Sequence, residues 1–255
     1  MEPCPEPLTA VTMTGRENGH SGRVPFGLIA LSPACAAAGF LSGAALLLPL
    51  LSAAPAYGAM VLLLRQGRRR AAIAAMLVWA LLLGASMTGL CAAMPEREAR
   101  VVLHGPGYWD EMRVWLETGE GRESHPARFV PQHFLHAGAF VMLCLISGSL
   151  LGVLFGAALM NFMAYYVAHV AAATGAHPVL AGVLAWPPWS VVRIASFVAL
   201  GVYLSEPILS RLWIAPPPAR GARLGIGLAA LGLALDILLK GLLAPHWPAL
   251  LRSLR

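Results

Sequence analysis

The sequence predicts an all-α fold, a polytopic membrane bundle of about six transmembrane helices with one additional amphipathic helix at the membrane interface. Hydrophobic residues make up 58% of the 255 positions and charged residues only 12%, against about 25% charged in soluble domains. The stretch 129–192 contains no Asp, Glu, Lys or Arg. A single helix over 134–174 would be about 60 Å long, roughly twice the hydrocarbon thickness of a bilayer. This stretch must therefore cross a membrane, and we expect two crossings.

Two regions differ in composition. Residues 1–25 are polar and rich in Gly, Pro and Ser, which is typical of a disordered tail. Residues 26–255 are predicted to form a single transmembrane domain, because no polar block among them is long enough to fold alone. The formal charge of +6 does not indicate a nucleic-acid partner, since the arginines lie at helix ends and in loops rather than on one basic face.

The first crossing is expected within residues 26–64, which contain Pro33, Pro49 and Pro55. We predict a short leading segment followed by one kinked helix at about 38–64. The next loop, 65–70, holds four arginines, and the positive-inside rule places it in the cytoplasm. This orientation puts the N-terminus outside.

A second helix at about 71–94 leads to the one long polar loop, 95–131, which is then extracytoplasmic. Within it, apolar and aromatic residues recur on one helical face over 108–118, with charged residues on the opposite face. Gly119 is placed to end this helix. The helix is suited either to the headgroup region or to a lid packed over the bundle.

The centre of the chain carries three glycines at intervals of four, Gly148, Gly152 and Gly156. Glycines at this spacing form a close-packing face on a membrane helix, but they also favour a tight reversal. With a reversal, two helices at about 133–151 and 153–173 bring the count to six. With a continuous helix the count is five. The fifth and sixth helices are predicted at about 189–209 and 221–243, with the C-terminus outside.

Several polar residues inside the apolar spans are candidates for lining a buried cavity. A charged group at the bilayer centre costs at least about 2.5–3.5 kcal/mol on insertion scales, so each needs a partner. Asp236 and Lys240 are four residues apart on one helix and can neutralise each other. On the fourth helix, three polar residues share an arc of about 80°. The cavity candidates are Asn161, Tyr165, His169, Arg193, Asp236 and Lys240.

The start of the third helix offers a weaker metal-site candidate. His133 and His136 are three residues apart and follow a loop that contains Glu111 and other carboxylates. Imidazole and carboxylate groups that converge can hold a divalent transition metal. No HExxH or CxxC motif accompanies them, and we expect no other cofactor.

Three functions follow from these features as alternatives. The leading hypothesis is a permease-like transport protein or accessory subunit of a bacterial inner-membrane complex, with the lipid bilayer and either other membrane subunits or further copies of itself as partners. The second is a membrane-embedded enzyme at the outer interface that uses the histidines and the acidic loop. The third is a scaffold without chemistry that binds a partner helix through the glycines.

Overall fold

The computed structural model describes residues 23–175, 177–218 and 221–254. It confirms the all-α class, since 82% of the structure is helical and the described residues contain no strand. The predicted disordered tail, 1–25, lies outside the described residues except for 23–25, which begin the first helix.

The described residues form twelve helices, of which six are short or lie in loops. In chain order they are α1 Arg23–Ala30, α2 Ser32–Leu41, α3 Leu47–Arg65, α4 Arg69–Ala93, α5 Pro95–Val101, α6 Gly105–Thr118, α7 Pro126–Ser147, α8 Leu150–Ala173, α9 Pro178–Leu184, α10 Pro188–Arg211, α11 Ala222–Leu243 and α12 Trp247–Arg252.

Seven helical segments of the described chain are long and apolar enough to cross a membrane. The one beyond the expected six is Val24–Leu41, which α1 and α2 form together. In place of one kinked helix over 38–64, the chain reverses after Leu41 through Gly43, whose φ is +74°, and returns as α3. Gly39 packs on Leu48 and Gly58 faces Leu28, so these two segments run antiparallel.

This additional crossing changes the position of the N-terminal end. The segment that begins at residue 23 runs antiparallel to α3, so its start lies at the same end of the bundle as Arg65. The sequence had predicted the opposite end for it. We call this the Arg end, after Arg65, Arg68, Arg69 and Arg70. The opposite end, with α5, α6, α9 and α12, is called the loop end.

The central hairpin reverses within the glycine repeat, as the six-helix alternative requires. Gly148 and Ser149 both have left-handed backbones, with φ of 58° and 70°, and they separate α7 from α8. The Ser149 hydroxyl donates a hydrogen bond of 2.6 Å to the carbonyl of Gly201 on α10. The continuous helix of the five-span alternative is therefore wrong.

The amphipathic element of the long loop is α6, and it ends at Gly119 with φ of 77°, as predicted. Its buried face, Met112, Trp115 and Leu116, packs in one cluster with α8, α9 and α12. Arg252 of α12 donates a 2.6 Å hydrogen bond to the carbonyl of Leu116. Of the two positions considered for this helix, the structure has it as a lid over the loop end.

The last span, α11, packs mainly on α10 through small residues. A Cβ on Gly225 would collide with the ring of Tyr203, and a Cβ on Gly232 would collide with the Ser196 hydroxyl. Close backbone approach at small residues is the usual way in which membrane helices associate. The opposite side of α11 exposes its leucines, as expected for a face towards lipid.

Candidate functional site

The bundle contains a partly open cavity of about 380 Å³ beneath the lid helix α6. This volume lies within the range of about 300–1,000 Å³ that is usual for small-molecule sites. Most of its wall is apolar and comes from α3, α4, α7, α8 and α10. The main apolar lining residues are Met60, Met76, Trp79, Phe140, Met160 and Phe197.

The loop end of the cavity is polar. Arg122, Glu123 and Glu111 reach it from the lid helix and from the segment between α6 and α7, while Arg193 and Lys240 reach it from α10 and α11. His104, His133 and His136 complete this layer. An apolar chamber with ionised groups at one end is suited to a molecule that has an apolar body and a charged head.

Lys240 holds the central ion pair of this layer. Its side chain is only 2% exposed, and its Nζ lies 2.7 Å from Oε2 of Glu123. The ammonium also lies 4.8 Å from the centre of the Phe129 ring, which adds a cation–π contact. A buried ammonium without a counter-charge is strongly destabilising, so the Glu123 carboxylate stabilises the charged form of Lys240.

A second ion pair lies beside the first. Arg193 Nε and one terminal nitrogen donate to the two carboxylate oxygens of Asp236, at 2.8 and 3.0 Å. The Asp236 side chain is fully buried, and one of its oxygens also lies 3.1 Å from Nε2 of His133. The other ring nitrogen of His133 donates to the Phe129 carbonyl at 2.9 Å. These contacts tie α7, α10 and α11 together at one level.

The pairing within α11 that the sequence suggested is therefore not formed. Asp236 and Lys240 share the buried face of α11, but each has a partner on another segment. Partners from other segments are available at this level, because Arg193 of α10 and Glu123 of the α6–α7 segment both line the same polar layer.

A different ion pair lies at the Arg end. Arg69 makes a two-pronged contact with Glu206, in which its terminal nitrogen donates to the second carboxylate oxygen at 2.6 Å. The guanidinium lies 5.3 Å from the centre of the Tyr203 ring. The arginine-rich loop predicted from the sequence contains Arg69, but its partner Glu206 was not predicted.

The polar stripe of α8, which consists of Asn161, Tyr165 and His169, lies outside the cavity. His169 approaches the buried carboxylate of Glu98, with Nε2 3.0 Å from Oε1. Its ring stacks on Trp109 with a centroid distance of 4.7 Å and lies 4.5 Å from Tyr165. Asn161 is buried, and its amide has no hydrogen-bond partner among the described residues. These contacts hold the loop-end helices against α8.

The predicted metal ligands lie around one cavity. His133, His136 and Glu111 all line the central cavity. Within the described ranges, no group of three or more His, Cys, Asp or Glu residues has an arrangement that could hold a metal ion. The metal site stays a prediction that this geometry does not support.

The three glycines of the central repeat lie in three different environments. Gly148 forms the reversal, and a Cβ on Gly152 would collide with the sulfur of Cys144. Gly156 lines the cavity and has open space around it. The glycines that join two long helices face to face are instead Gly225 and Gly232, which the sequence reasoning did not select.

Outside the spans, Tyr108 of the lid borders the cavity. Its ring is half-buried, and its hydroxyl points inward to the Met163 sulfur at 3.6 Å. Burial, followed by the nearby Glu123 carboxylate, raises the pKa of Tyr108 well above its usual value of about 10. The phenol is therefore neutral in this wall.

The fold and this site define a multi-pass α-helical membrane protein with an internal cavity that has ion-paired side chains at its loop end. No family model, curated protein or solved structure matches the chain.

Proposed function

We propose that the protein is a permease-type carrier that binds a small organic anion with an apolar body. The observation that carries this proposal is the buried Lys240, whose counter-charge Glu123 comes from the segment that closes the cavity mouth. The apolar wall receives the body of the ligand, and Lys240 receives its anionic group.

The ion pair explains why the ligand is an anion. Entry through the loop end requires the segment 119–125 to move, which takes Glu123 away from Lys240. A buried pair that loses one partner is destabilised by about 3–5 kcal/mol. An anionic ligand that replaces Glu123 restores the counter-charge, whereas a neutral or cationic ligand does not.

The Arg end supports a carrier rather than a simple receptor. There Arg69 of α4 and Glu206 of α10 form the second closing pair, and both helices also contribute to the cavity wall. A central cavity with an ionic contact towards each side is compatible with alternating access, in which one part of the bundle moves against the other around a fixed site.

We also propose that the Arg end faces the cytoplasm of a bacterial cell and that the membrane is the inner one. The support is the short α3–α4 connection, which concentrates four arginines. A membrane-impermeant maleimide tests this orientation on a cysteine-free background. We expect Glu117→Cys, at an exposed position of α6, to react on intact cells and Gln66→Cys, at an exposed position of the arginine-rich loop, to react only after lysis. The reverse pattern overturns the orientation.

The ligand class is tested with octyl probes on the full-length protein in phosphatidylcholine nanodiscs. Octanesulfonate is permanently anionic, octyltrimethylammonium is cationic and octanol is neutral, while the three chains are matched. We expect calorimetric binding of octanesulfonate only, and a tenfold or larger loss of affinity in Lys240→Met. Arg211→Met removes an exposed cation from α10 at the Arg end and serves as the control.

Two results contradict the proposal. Equal binding of the cationic and anionic probes shows that the charge of the ligand does not determine binding. Unchanged octanesulfonate affinity in Lys240→Met removes the proposed contact. If binding is found, uptake of labelled octanesulfonate into proteoliposomes then distinguishes a carrier from a receptor, and absence of uptake overturns the carrier.

A further inference from the structure

A groove on the outside of the bundle lies between α7 and α11, with α10 behind it. Its volume is about 240 Å³, and most of its lining is apolar: Phe134, Ala137, Phe197, Ala230, Leu233, Ala234 and Ile237. Phe134 is 67% exposed and lies within a membrane span. The groove therefore faces the hydrocarbon region of the bilayer.

The groove has a polar end and an apolar end. α7 runs from the loop end towards the Arg end, and α11 runs in the opposite direction. His133, Arg193 and Asp236 therefore mark the end of the groove nearer the loop-end surface, while Ala230 and Phe197 mark the deeper end. A lipid of the loop-end leaflet has the same orientation, with its headgroup at the surface and its chains directed to the midplane.

A basic depression lies directly above this groove on the first turns of α7. It is lined by Arg122, Arg128, Gln132 and His136, together with Pro131 and Leu135. His136 borders the depression, the groove and the central cavity alike. The Arg128 guanidinium has no carboxylate partner in the part of the chain that the structure describes, while Arg122 makes an exposed contact of 3.5 Å with Glu111.

We infer that the groove between α7 and α11 and the depression above it form a binding site for a membrane phospholipid with an anionic headgroup. The headgroup lies against Arg122, Arg128 and His136, and an acyl chain follows the groove towards Ala230. Arginines at the membrane surface attract anionic lipids, and the apolar groove holds a chain where the helices leave space.

This site goes beyond the proposed function, because it lies on the outer surface and takes a resident lipid. A soluble anion does not account for it, since the apolar part opens towards hydrocarbon rather than water. The shared residue His136 places the lipid headgroup beside the wall of the central cavity, so the bound lipid also forms part of the polar layer.

The test uses the full-length protein in nanodiscs of phosphatidylcholine and phosphatidylglycerol at a ratio of 4:1, released and analysed by native mass spectrometry. We expect at least one retained phosphatidylglycerol despite its lower abundance. The double variant Arg122→Gln/Arg128→Gln is expected to reduce this retention by about 10–30-fold. Arg100→Gln/Arg113→Gln removes two exposed arginines of the same end and is expected to retain the lipid.

A second variant tests the groove without changing charge. Ala234→Phe fills the space for the chain and is expected to abolish retention, while Gly227→Phe places the same ring on α11 where nothing lies within 4 Å. Equal retention of the two phospholipids, or unchanged retention in both the arginine double variant and Ala234→Phe, overturns the inference. Because no octyl probe is present, the lipid site can fail while octanesulfonate binding persists, and the converse also holds.

Discussion

The pair between Glu123 and Lys240 provides the sharpest quantitative prediction. Glu123→Gln removes the counter-charge of an ammonium that is 2% exposed, while the Glu123 side chain itself is 19% exposed. Breaking a buried pair by removing one partner costs about 3–5 kcal/mol. Because some water reaches Glu123, we expect the lower end, about 3 kcal/mol. For a chain of this size, that loss corresponds to a fall in Tm of about 6–12 °C.

The assay is thermal unfolding of the purified protein in one detergent. The double variant Glu123→Gln/Lys240→Met has no unpaired ammonium, and we expect its Tm to return to within a few degrees of the wild type. Asp110→Asn is the control, because its contact with Arg113 is long, 3.9 Å, and exposed, and such pairs contribute little.

The same thermal unfolding assay tests the proposed function when octanesulfonate is added. In Glu123→Gln the added anion can occupy the vacated position beside Lys240, so we expect it to raise the Tm of this variant more than that of the wild type. A Tm that does not change in Glu123→Gln, or a double variant no more stable than the single one, refutes the reasoning about the buried pair.

Three further predictions concern the rest of the bundle. Arg69→Gln leaves the buried Glu206 unpaired and is expected to lower the Tm by several degrees, whereas Arg70→Gln, an exposed neighbour, is expected to leave it unchanged; equal effects contradict the role of this pair. Gly225→Leu is expected to prevent α11 from packing, measured as loss of the monodisperse peak in size-exclusion chromatography, while Gly227→Leu elutes normally; normal elution of both contradicts the packing role. Since the folded state holds the pKa of Tyr108 above its unfolded value, its contribution to stability is complete below pH 10 and decreases as the pH rises above it. Tyr108→Phe is therefore expected to show a smaller fall in Tm between pH 9 and 11, and an identical fall indicates that Tyr108 already ionises normally.

Much of the candidate site was visible in the sequence only as separate residues. Arg193, Asp236 and Lys240 were selected because a charge within a span is costly, and the structure shows all three in ion pairs at one level. The partner of Lys240 was not predicted. Glu123 lies in a polar loop where a carboxylate carries no cost, so nothing in the sequence distinguishes it from its acidic neighbours.

For the polar stripe of α8, the sequence predicted the shared side of the helix but not the neighbour that this side contacts. Asn161, Tyr165 and His169 do share one side of their helix, as the helical period requires. The period does not say which neighbour that side meets. In the structure His169 approaches Glu98 and stacks on Trp109, so this side of α8 serves the loop-end helices rather than the cavity.

The sequence by itself determined the class of the protein and the amphipathic helix over 108–118, and it limited the central stretch to a reversal or a continuous helix. Each depends on a local quantity: the summed cost of placing residues in hydrocarbon, the backbone freedom of adjacent small residues, or the period of one amphipathic helix. Tertiary structure alone decided that residues 24–41 form a seventh crossing, that Gly225 and Gly232 join two spans, and that Lys240 meets Glu123. These features depend on how apolar helices rotate against one another, and a helix that is apolar on all sides gives little indication of which face its neighbour covers.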